Sequence, residues 1–559
     1  MLRNKSGPKK TYDSHLRCSE ACDTLTEIRM TPTISAPDTQ KENIGRSAFL
    51  VAAGIFLSRI FGLVRESVFA HYFGISPAAD AFRAAMRIPN VLQNLFGEGV
   101  LSASFIPVYA KLSAQGEEEE AGRVAGAVFS LLALVTAVLV LLGVLATPWL
   151  IDLIAPGFHD ERRPLTIQLV RIFFPGVGLL VLSAWCLGIL NSHRKFFLSY
   201  VSPVLWNVAI IAALLTFGRN SSLARLAVYT AWASVVGSGL QFLVQVPVVM
   251  RLAPNLKFLF QTVSENVRVV IRNFVPVFIS RGVVQLSAYI DAFLASFLPV
   301  GALAALSNAQ NLYLLPVSLF GMSISVAELP GMSSALGNKQ EIAETLRRRI
   351  NASTKRIGFF VVPSAVAFFA LGDVIAAAIF QSGRFTARDT DWVWGILAGS
   401  AVGLVAATVG RLYSSAYYAL RDTRTPLRYA IIRVLLTTAL GYFCALPLPR
   451  LLGINPQWGA AGLTASYGVA AWVEFLLLRR GMARRIGAIE SPMGYFTRLW
   501  AAAVVAAIVA WAIRIAVHPH QRLFAALLIL VPYGAVYLGL AAAMGINESK
   551  SLIRRLKRS

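Results

Sequence analysis

The sequence predicts an all-α polytopic membrane protein, and three observations predict it. The 559 residues are 56% hydrophobic and only 14% charged. Apolar runs of about 20 residues or more, long enough to cross a bilayer, recur along nearly the whole chain. Lys and Arg gather in alternate connections between those runs. In hydrocarbon every backbone polar group must be satisfied internally, which selects helices or a closed barrel. The short alternating segments of a barrel do not occur in the sequence, so helices remain.

The runs divide the chain into about fourteen spans. Residues 1–44 form a polar leader without the apolar core of a signal peptide, and are expected to be a disordered cytoplasmic extension. A first lobe is expected over 45–253, with spans at 47–72, 78–113, 122–153, 164–190, 196–218 and 224–250. A second is expected over 254–485, with spans at 267–298, 301–335, 356–382, 391–420, 427–448 and 457–479. Two more spans, 495–517 and 522–545, fill 486–546, and a basic tail closes the chain over 547–559. Ile88-Pro89-Asn90 interrupts the second span and Leu315-Pro316 the eighth. Proline removes a backbone donor, so both helices are expected to bend and line a cavity.

An internal repeat supports the pairing of lobes. Leu95-Phe96-Gly97 recurs as Leu319-Phe320-Gly321, and the same offset matches Ala81 with Ala305, Ala85 with Ala309 and Ala103 with Ala327. Two related six-span lobes with a site between them is transporter architecture.

The formal net charge of +24 does not point to nucleic acid, because of where it sits. Basic clusters such as Arg347-Arg348-Arg349, Arg421 with Arg424, Arg479-Arg480 and Arg554-Arg555 fall in alternate connections, while the connections between them are short and poor in Lys and Arg or mixed. The positive-inside rule then puts both termini in the cytoplasm. Cys18 and Cys22 lie in the leader and Cys186 and Cys444 in spans, which implies no disulfide framework. The six histidines form no ligand cluster, and no phosphate-cradling loop or nucleophile elbow occurs, so the chain is expected to be no enzyme and to hold no metal or organic cofactor.

The functional signal is a set of misplaced charges. Arg59, Arg65, Glu66, Asp80, Arg83, Arg87 and Glu98 lie within or beside the first two spans. A charge at the bilayer centre costs about 2.5–3.5 kcal/mol on insertion scales, so this many implies a polar cavity between helices, and a cation-lined cavity suits an anion. Arg59 and Arg65 stand about 9 Å apart along a helix and roughly 120° apart around it, which would let them grip two sides of a bulky group. Asp80, Arg83 and Arg87 project from nearly one face.

The ordered run Ser58-Arg59-Ile60-Phe61-Gly62-Leu63-Val64-Arg65-Glu66, followed by Asp80-Ala81-Phe82, Ile88-Pro89-Asn90, Phe96-Gly97-Glu98-Gly99 and Ser104-Phe105-Ile106-Pro107, resembles the amino-terminal signature of the MurJ (MviN) lipid II flippases. These belong to the multidrug/oligosaccharidyl-lipid/polysaccharide exporter superfamily. The resemblance extends over roughly 45–546. It implies fourteen helices, two lobes in a V, a central cationic cavity, a groove for the polyprenyl tail at the last two helices, and a bacterial inner-membrane location. The implied activity is alternating-access transport of lipid II to the periplasmic leaflet. The implied partners are that lipid or a related polyprenyl-diphosphate glycan, membrane lipids and the cell-wall synthesis machinery.

On this resemblance Arg59 and Arg65 are expected to hold the diphosphate, with pairing to Asp80 or Glu66 in a fixed network as the alternative. Glu66 would tune Arg65, and Asp80 and Glu98 would orient cations or gate closure. Where the family carries a further arginine this chain has Gln93, and where it carries an acidic-arginine pair this chain has Gln310-Asn311. Gln93 and Asn311 are then amide contacts to the substrate, with Arg83, Arg87 and Arg281 supplying charge, so the cation load is expected mainly in the first lobe. Asp291 is a candidate for coupling to a monovalent cation, sodium or a proton, with a salt bridge to Arg281 or another buried cation as the alternative. Export of another lipid-linked oligosaccharide or of drugs, and a non-transporting scaffold in envelope assembly, are the competing functions.

Overall fold

The computed structural model describes residues 38–257, 264–334, 338–490, 493–517 and 521–556; for 38–53, 55, 98, 279–288, 339 and 555–556 it describes the backbone alone. The chain divides into two compact units, Met1–Leu50 and Val51–Ser559. In the first, the described residues are the helical ones from Asp38 onward. Everything below concerns the second.

The described residues are helical throughout, without strands. The helices are α1 (Asp38–Phe73), α2 (Pro77–Phe96), α3 (Glu98–Ser104), α4 (Ile106–Ala114), α5 (Glu118–Ile154), α6 (Arg162–Ser192), α7 (Phe196–Phe217) and α8 (Leu223–Leu252). Next come α9 (Glu265–Ser296), α10 (Ala302–Pro316), α11 (Ser323–Ser333), α12 (Lys339–Ala370), α13 (Gly372–Phe380), α14 (Ala387–Ala419) and α15 (Arg424–Ala445). The last are α16 (Pro447–Leu451), α17 (Gly459–Ile486), α18 (Met493–Ala516), α19 (Arg522–Ala543) and α20 (Asn547–Leu556). Among the described residues 10 helices are long and apolar enough to cross a membrane, or 11 if α12 and α13, bent by 81° at Leu371, form one span. Three other long helices, α1, α2 and α9, hold 36, 20 and 32 residues and carry ionisable groups.

Local sequence explains where several helices start. Ser76 accepts from the Ala79 N–H and Pro77 opens α2; Asn338 with Glu341 and Thr386 with Asp389 form capping boxes on α12 and α14. The predicted second span runs on as helix through Pro89, which lies inside α2, and breaks at Gly97. A Cβ there would lie 2.1 Å from the Gln93 carbonyl oxygen, so the turn into α3 requires glycine. In the eighth span the irregularity falls where the proline predicts it, as a π-helical stretch over Val317–Met322 directly after Pro316.

Helices α2, α5, α6, α7 and α8 pack together, as do α10, α12, α14, α15 and α17, with α18 and α19 against α12 and α13. α14 packs closely on α17, where a Cβ on Gly403 would come within 2.3 Å of the Gly468 Cα, a small-residue contact of the kind that joins helices in lipid. In the first group two apolar clusters are stacked along the helices, one around Phe69, Phe82, Phe173 and Leu214, the other around Phe96, Phe105, Trp185 and Ile189. Polar side chains occupy the layer between them, including Asn90, Asn207, Ser234 and Gln241.

Candidate functional site

At one end of the molecule Asp80 joins the two groups. Its buried carboxylate, 1% exposed, accepts from the backbone N–H of Gly301 at 2.6 Å and of Ala304 at 2.9 Å, capping the start of α10 from across the groups. Arg162 approaches the same carboxylate at 3.5 Å and is itself held by Asp160 at 2.9 Å and by the Phe158 ring. That hydrogen bond from Arg162 keeps the Asp160 carboxyl, in the connection before α6, below its usual range. The repeat offset that matches Ala81 with Ala305 matches Asp80 with Ala304, so matched positions touch each other, as a two-fold relation between the groups requires. Neighbouring bonds reinforce the junction: the Arg384 N–H donates to the His71 carbonyl at 2.8 Å, Ser67 Oγ donates to the Ile379 carbonyl at 2.6 Å, and the Gly157 N–H donates to Ser296 Oγ at 3.1 Å. At the other end Phe96 packs on Phe274 and Phe278 of α9.

Glu66 lies between two arginines and pairs with both Arg65 and Arg83. Arg83 is buried, sits over the Phe69 ring and donates to Asn308 Oδ1 at 3.4 Å. It lines neither polar cavity described below, so the expectation that it contacts substrate gives way to a structural pairing of α1, α2 and α10. An uncompensated Glu66 in the same place would carry the full cost of a buried charge.

Arg65 turns the other way, over the Trp206 ring at 4.6 Å, into a cavity of about 420 Å³ within the first group. Met86, Asn90, Gln93 and Gly97 line it from α2, Asn207 from α7, and Ser234, Ser238 and Gln241 from α8. The wall is largely uncharged, with these amides and hydroxyls set among apolar residues such as Phe173, Val177 and Leu180. Amides and hydroxyls of this density suit a ligand rich in hydroxyl and amide groups.

A second cavity, about 240 Å³, lies against α10, α14, α15 and α17 and is lined by Arg87, Asp291, Gln310, Tyr313, Arg411, Arg433 and Tyr467. Arg433 pairs with Glu474 at 3.4 Å and stacks toward Tyr467. Arg411 and Arg433 here correct the expectation that the cation load lies mainly in the first lobe. The loss of charge at Gln310 is offset by residues on other helices.

The remaining predicted residues are dispersed. Arg59 is exposed and donates to Ser318 Oγ at 3.2 Å, lining neither polar cavity. Asn311 likewise lines neither; its buried amide nitrogen has no partner among the described residues. The side chains of Arg281 and Glu98 lie outside the described residues. The groove expected at the last two helices is an apolar one of about 630 Å³ formed by α18 with α12 and α14; α19 does not line it. A larger apolar cleft, about 1080 Å³, opens between Ile88, Val91 and Leu92 of α2, α5, and Tyr289, Phe293 and Tyr442 of α9 and α15.

Sequence reasoning missed Arg433, Glu474 and Arg162. The first two lie inside predicted spans eleven and twelve, where the rule that flagged Arg59 and Arg65 applies equally. Arg162 sits at the head of α6 in a mixed-charge connection, and nothing in the sequence marks it as the partner of Asp80.

A family model described as lipid II flippase MurJ matches residues 69–533. A lipid II flippase MurJ of Burkholderia cenocepacia is 32% identical over 524 residues, 90% of this chain and 98% of that protein. A probable lipid II flippase MurJ of Rhizobium tropici is 32% identical over 78% of this chain and 80% of its own length. Among solved structures, a lipid II flippase MurJ in an inward closed conformation has a TM-score of 0.74 at 24% identity, covering 90% of this chain and 100% of the other. An inward-facing multidrug resistance MATE family transporter of the MOP superfamily has a TM-score of 0.61 at 18% identity, covering 78% and 98%.

Proposed function

The chain belongs to the lipid II flippase MurJ family, and from that premise we propose that it moves lipid II from the cytoplasmic to the periplasmic leaflet of the bacterial inner membrane. It is a transporter rather than an enzyme. In this reading α1, α2 and α9 cross the membrane with the apolar helices, giving fourteen spans, with both termini cytoplasmic and residues 45–253 and 254–485 as the two lobes. The Asp80 junction is then periplasmic and the Phe96–Phe274 contact cytoplasmic. Transport proceeds by alternating access, one junction opening while the other holds.

The observation that carries this reading is the junction at Asp80. A buried carboxylate bound to two backbone amides of the opposite lobe is a discrete contact that is either made or broken, which is what a two-state gate needs. The two polar cavities supply a path for a headgroup that hydrocarbon excludes, and their arginines hold the diphosphate. Asp291 serves as counter-ion to Arg87 and Arg433, which line the same cavity, and a sodium ion beside two guanidiniums would be repelled. Complementation of a flippase-depleted bacterium tests the function. Growth restored by the parent chain and lost on Arg65→Ala, with both proteins inserted at equal level, is the expected result. Failure of the correctly inserted parent chain to restore growth would reject lipid II as the substrate and favour another polyprenyl-linked glycan.

A further inference from the structure

We infer that the α18 groove and a polar pocket at its end form one site for a zwitterionic phospholipid of the bilayer, with an acyl chain along α18 and the phosphate and ammonium between Arg522 and Asp391. The inference goes beyond the flippase reading and takes from it only that the Asp80 end faces the periplasm.

The two spaces meet in register on the same helices. Ala370 of α12, Trp394 of α14 and Trp511 of α18 line the apolar groove. Asp373 of α13, Asp391 of α14 and Arg514 of α18 line the polar pocket, which holds about 330 Å³. On α14 and α18 the polar residue stands three positions from the apolar one, about one helical turn. At the 81° bend after α12 the same spacing carries the chain from Ala370 to Asp373. The boundary is tightly packed: the Trp394 indole donates to the Phe369 carbonyl at 3.0 Å, and a Cβ on Gly372 would lie 2.7 Å from that ring. The pocket belongs to the Asp80 end, because Arg522 donates to the carbonyl of Gln381, in the connection whose Arg384 N–H binds His71.

Charge then selects the headgroup. Two carboxylates, Asp373 and Asp391, and two guanidiniums, Arg514 and Arg522, line the pocket, so its formal charge is zero. Asp373 and Arg514 pair with each other at 2.6 Å. Asp391 and Arg522 form no ion pair with another described residue, and Arg522 donates to a neutral carbonyl. A diphosphate needs an excess of positive charge that this pocket lacks. A headgroup with one phosphate and one ammonium matches both groups at once, the phosphate on the Arg522 fork and the ammonium on Asp391. Asp373 Oδ1, without a partner among the described residues, is a further acceptor on the same wall.

Depth agrees with a lipid of one leaflet. The groove runs along α18 from Trp511 to Trp500, about 16 Å at 1.5 Å per residue, half of a hydrocarbon core roughly 30 Å thick. Phe369, Val504, Ile508 and Trp511 stay exposed along it, so it opens outward, where a bilayer supplies acyl chains. Trp511 lies one turn below Arg514, the level at which indoles sit between chains and headgroups. A polyprenyl chain has the apolar character to enter the groove, but its diphosphate would then face Asp373 and Asp391.

The test is lipid binding to the purified full chain, read by native mass spectrometry, with phosphatidylethanolamine and phosphatidylglycerol as probes. Asp391→Asn removes the ammonium partner from an exposed position and is expected to weaken phosphatidylethanolamine by about threefold while sparing phosphatidylglycerol. Arg522→Gln is expected to weaken both, and the double variant to weaken phosphatidylethanolamine by about tenfold. Val504→Trp, which fills the groove, should weaken both probes. Arg388→Gln, exposed on α14 outside the pocket, should leave both within about twofold of the parent chain. A change within twofold in the double variant, or an equal loss of both probes in Asp391→Asn, overturns the assignment. Displacement of bound phosphatidylethanolamine by an equal concentration of a short polyprenyl diphosphate gives the groove to the substrate chain and overturns it too. Binding with the expected variant pattern alongside failed complementation upholds the phospholipid site and rejects lipid II as the transported substrate.

Discussion

Asp80→Ala tests whether a single carboxylate holds one end of the molecule shut. The side chain accepts two backbone hydrogen bonds from the start of α10, at 2.6 and 2.9 Å, and faces Arg162 at 3.5 Å. Hydrogen bonds to a charged group contribute about 1.5–3 kcal/mol each, and a charge at a helix N-terminus adds about 0.3–1 kcal/mol. Desolvation of so buried a carboxylate offsets part of this, which leaves a net loss of roughly 3 kcal/mol on truncation. The equilibrium between joined and parted ends should therefore shift by roughly a hundredfold. Pulsed electron spin resonance reads this directly. Labels at Asn220, in the α7–α8 turn, and at Ile454, after α16, are exposed and lie at the latch end, since Gly218 abuts Tyr72 of α1 and Trp392 of α14 donates to the Gln457 carbonyl. With the 4 native cysteines replaced, Asp80→Ala should add a long-distance population that the parent lacks. Asp80→Asn, which keeps one carbonyl acceptor, should fall between. Identical distance distributions in all three proteins would refute the latch.

Glu66→Gln leaves Arg83 buried without its counter-charge and should cost about 3–5 kcal/mol, seen as a lower thermal midpoint in detergent, with Glu66→Gln/Arg83→Met recovering part of it; an unchanged midpoint would mean that the pair is not structural. Gly97→Ala puts a Cβ against the Gln93 carbonyl and should destabilise by about 1–3 kcal/mol, while Gly116→Ala, with open space around it but a left-handed backbone, loses less by the same thermal assay. Asp422, in the connection between α14 and α15, is held at about 2 by hydrogen bonds from the Thr425 side chain and N–H and from Arg485. Its folded value lies below its unfolded one, so its contribution is complete above the ordinary carboxylate range and is lost as pH falls toward about 2. The acid limb of the thermal midpoint should therefore flatten in Asp422→Asn, and an unaltered limb would count against the hydrogen-bonded carboxylate as its origin.

The helical membrane class was legible because hydrocarbon leaves few choices, and long apolar runs such as 122–153 and 522–545 report it directly. Boundaries failed where a single residue overrode the pattern. Pro89 signalled an interruption, yet the helix continues through it, and the break came from the close approach at Gly97, which no periodicity reveals. The 81° turn at Leu371 was equally silent, because the residues on both sides are apolar and helix-forming.

For the site, the sequence exposed which residues were out of place but not what they face. A charge in an apolar helix is visible at once; its partner depends on which neighbour packs against that azimuth. Arg59, Arg65 and Arg83 read alike in the sequence, yet one meets a serine, one an indole, and one a buried carboxylate. The same blindness hid part of the compensation for Gln310. Arg411 and Arg433 come from helices more than a hundred residues downstream, and only the packing of α10 against α14, with α15 and α17 beyond, brings them to one cavity. α2 shows why the strongest sequence signature is concentrated there. Its residues must satisfy a backbone cap at Asp80, a buried pair at Arg83, a charged cavity at Arg87, and an apolar cleft at Ile88, so almost every position answers to a different neighbour. A substitution that suits one of those surroundings disturbs the next within a single turn. Exchanging Arg87 for lysine should then lower binding of diphosphate while leaving the Glu66–Arg83 pair and thermal stability intact, because that pair lies one turn away and shares no atom with the cavity.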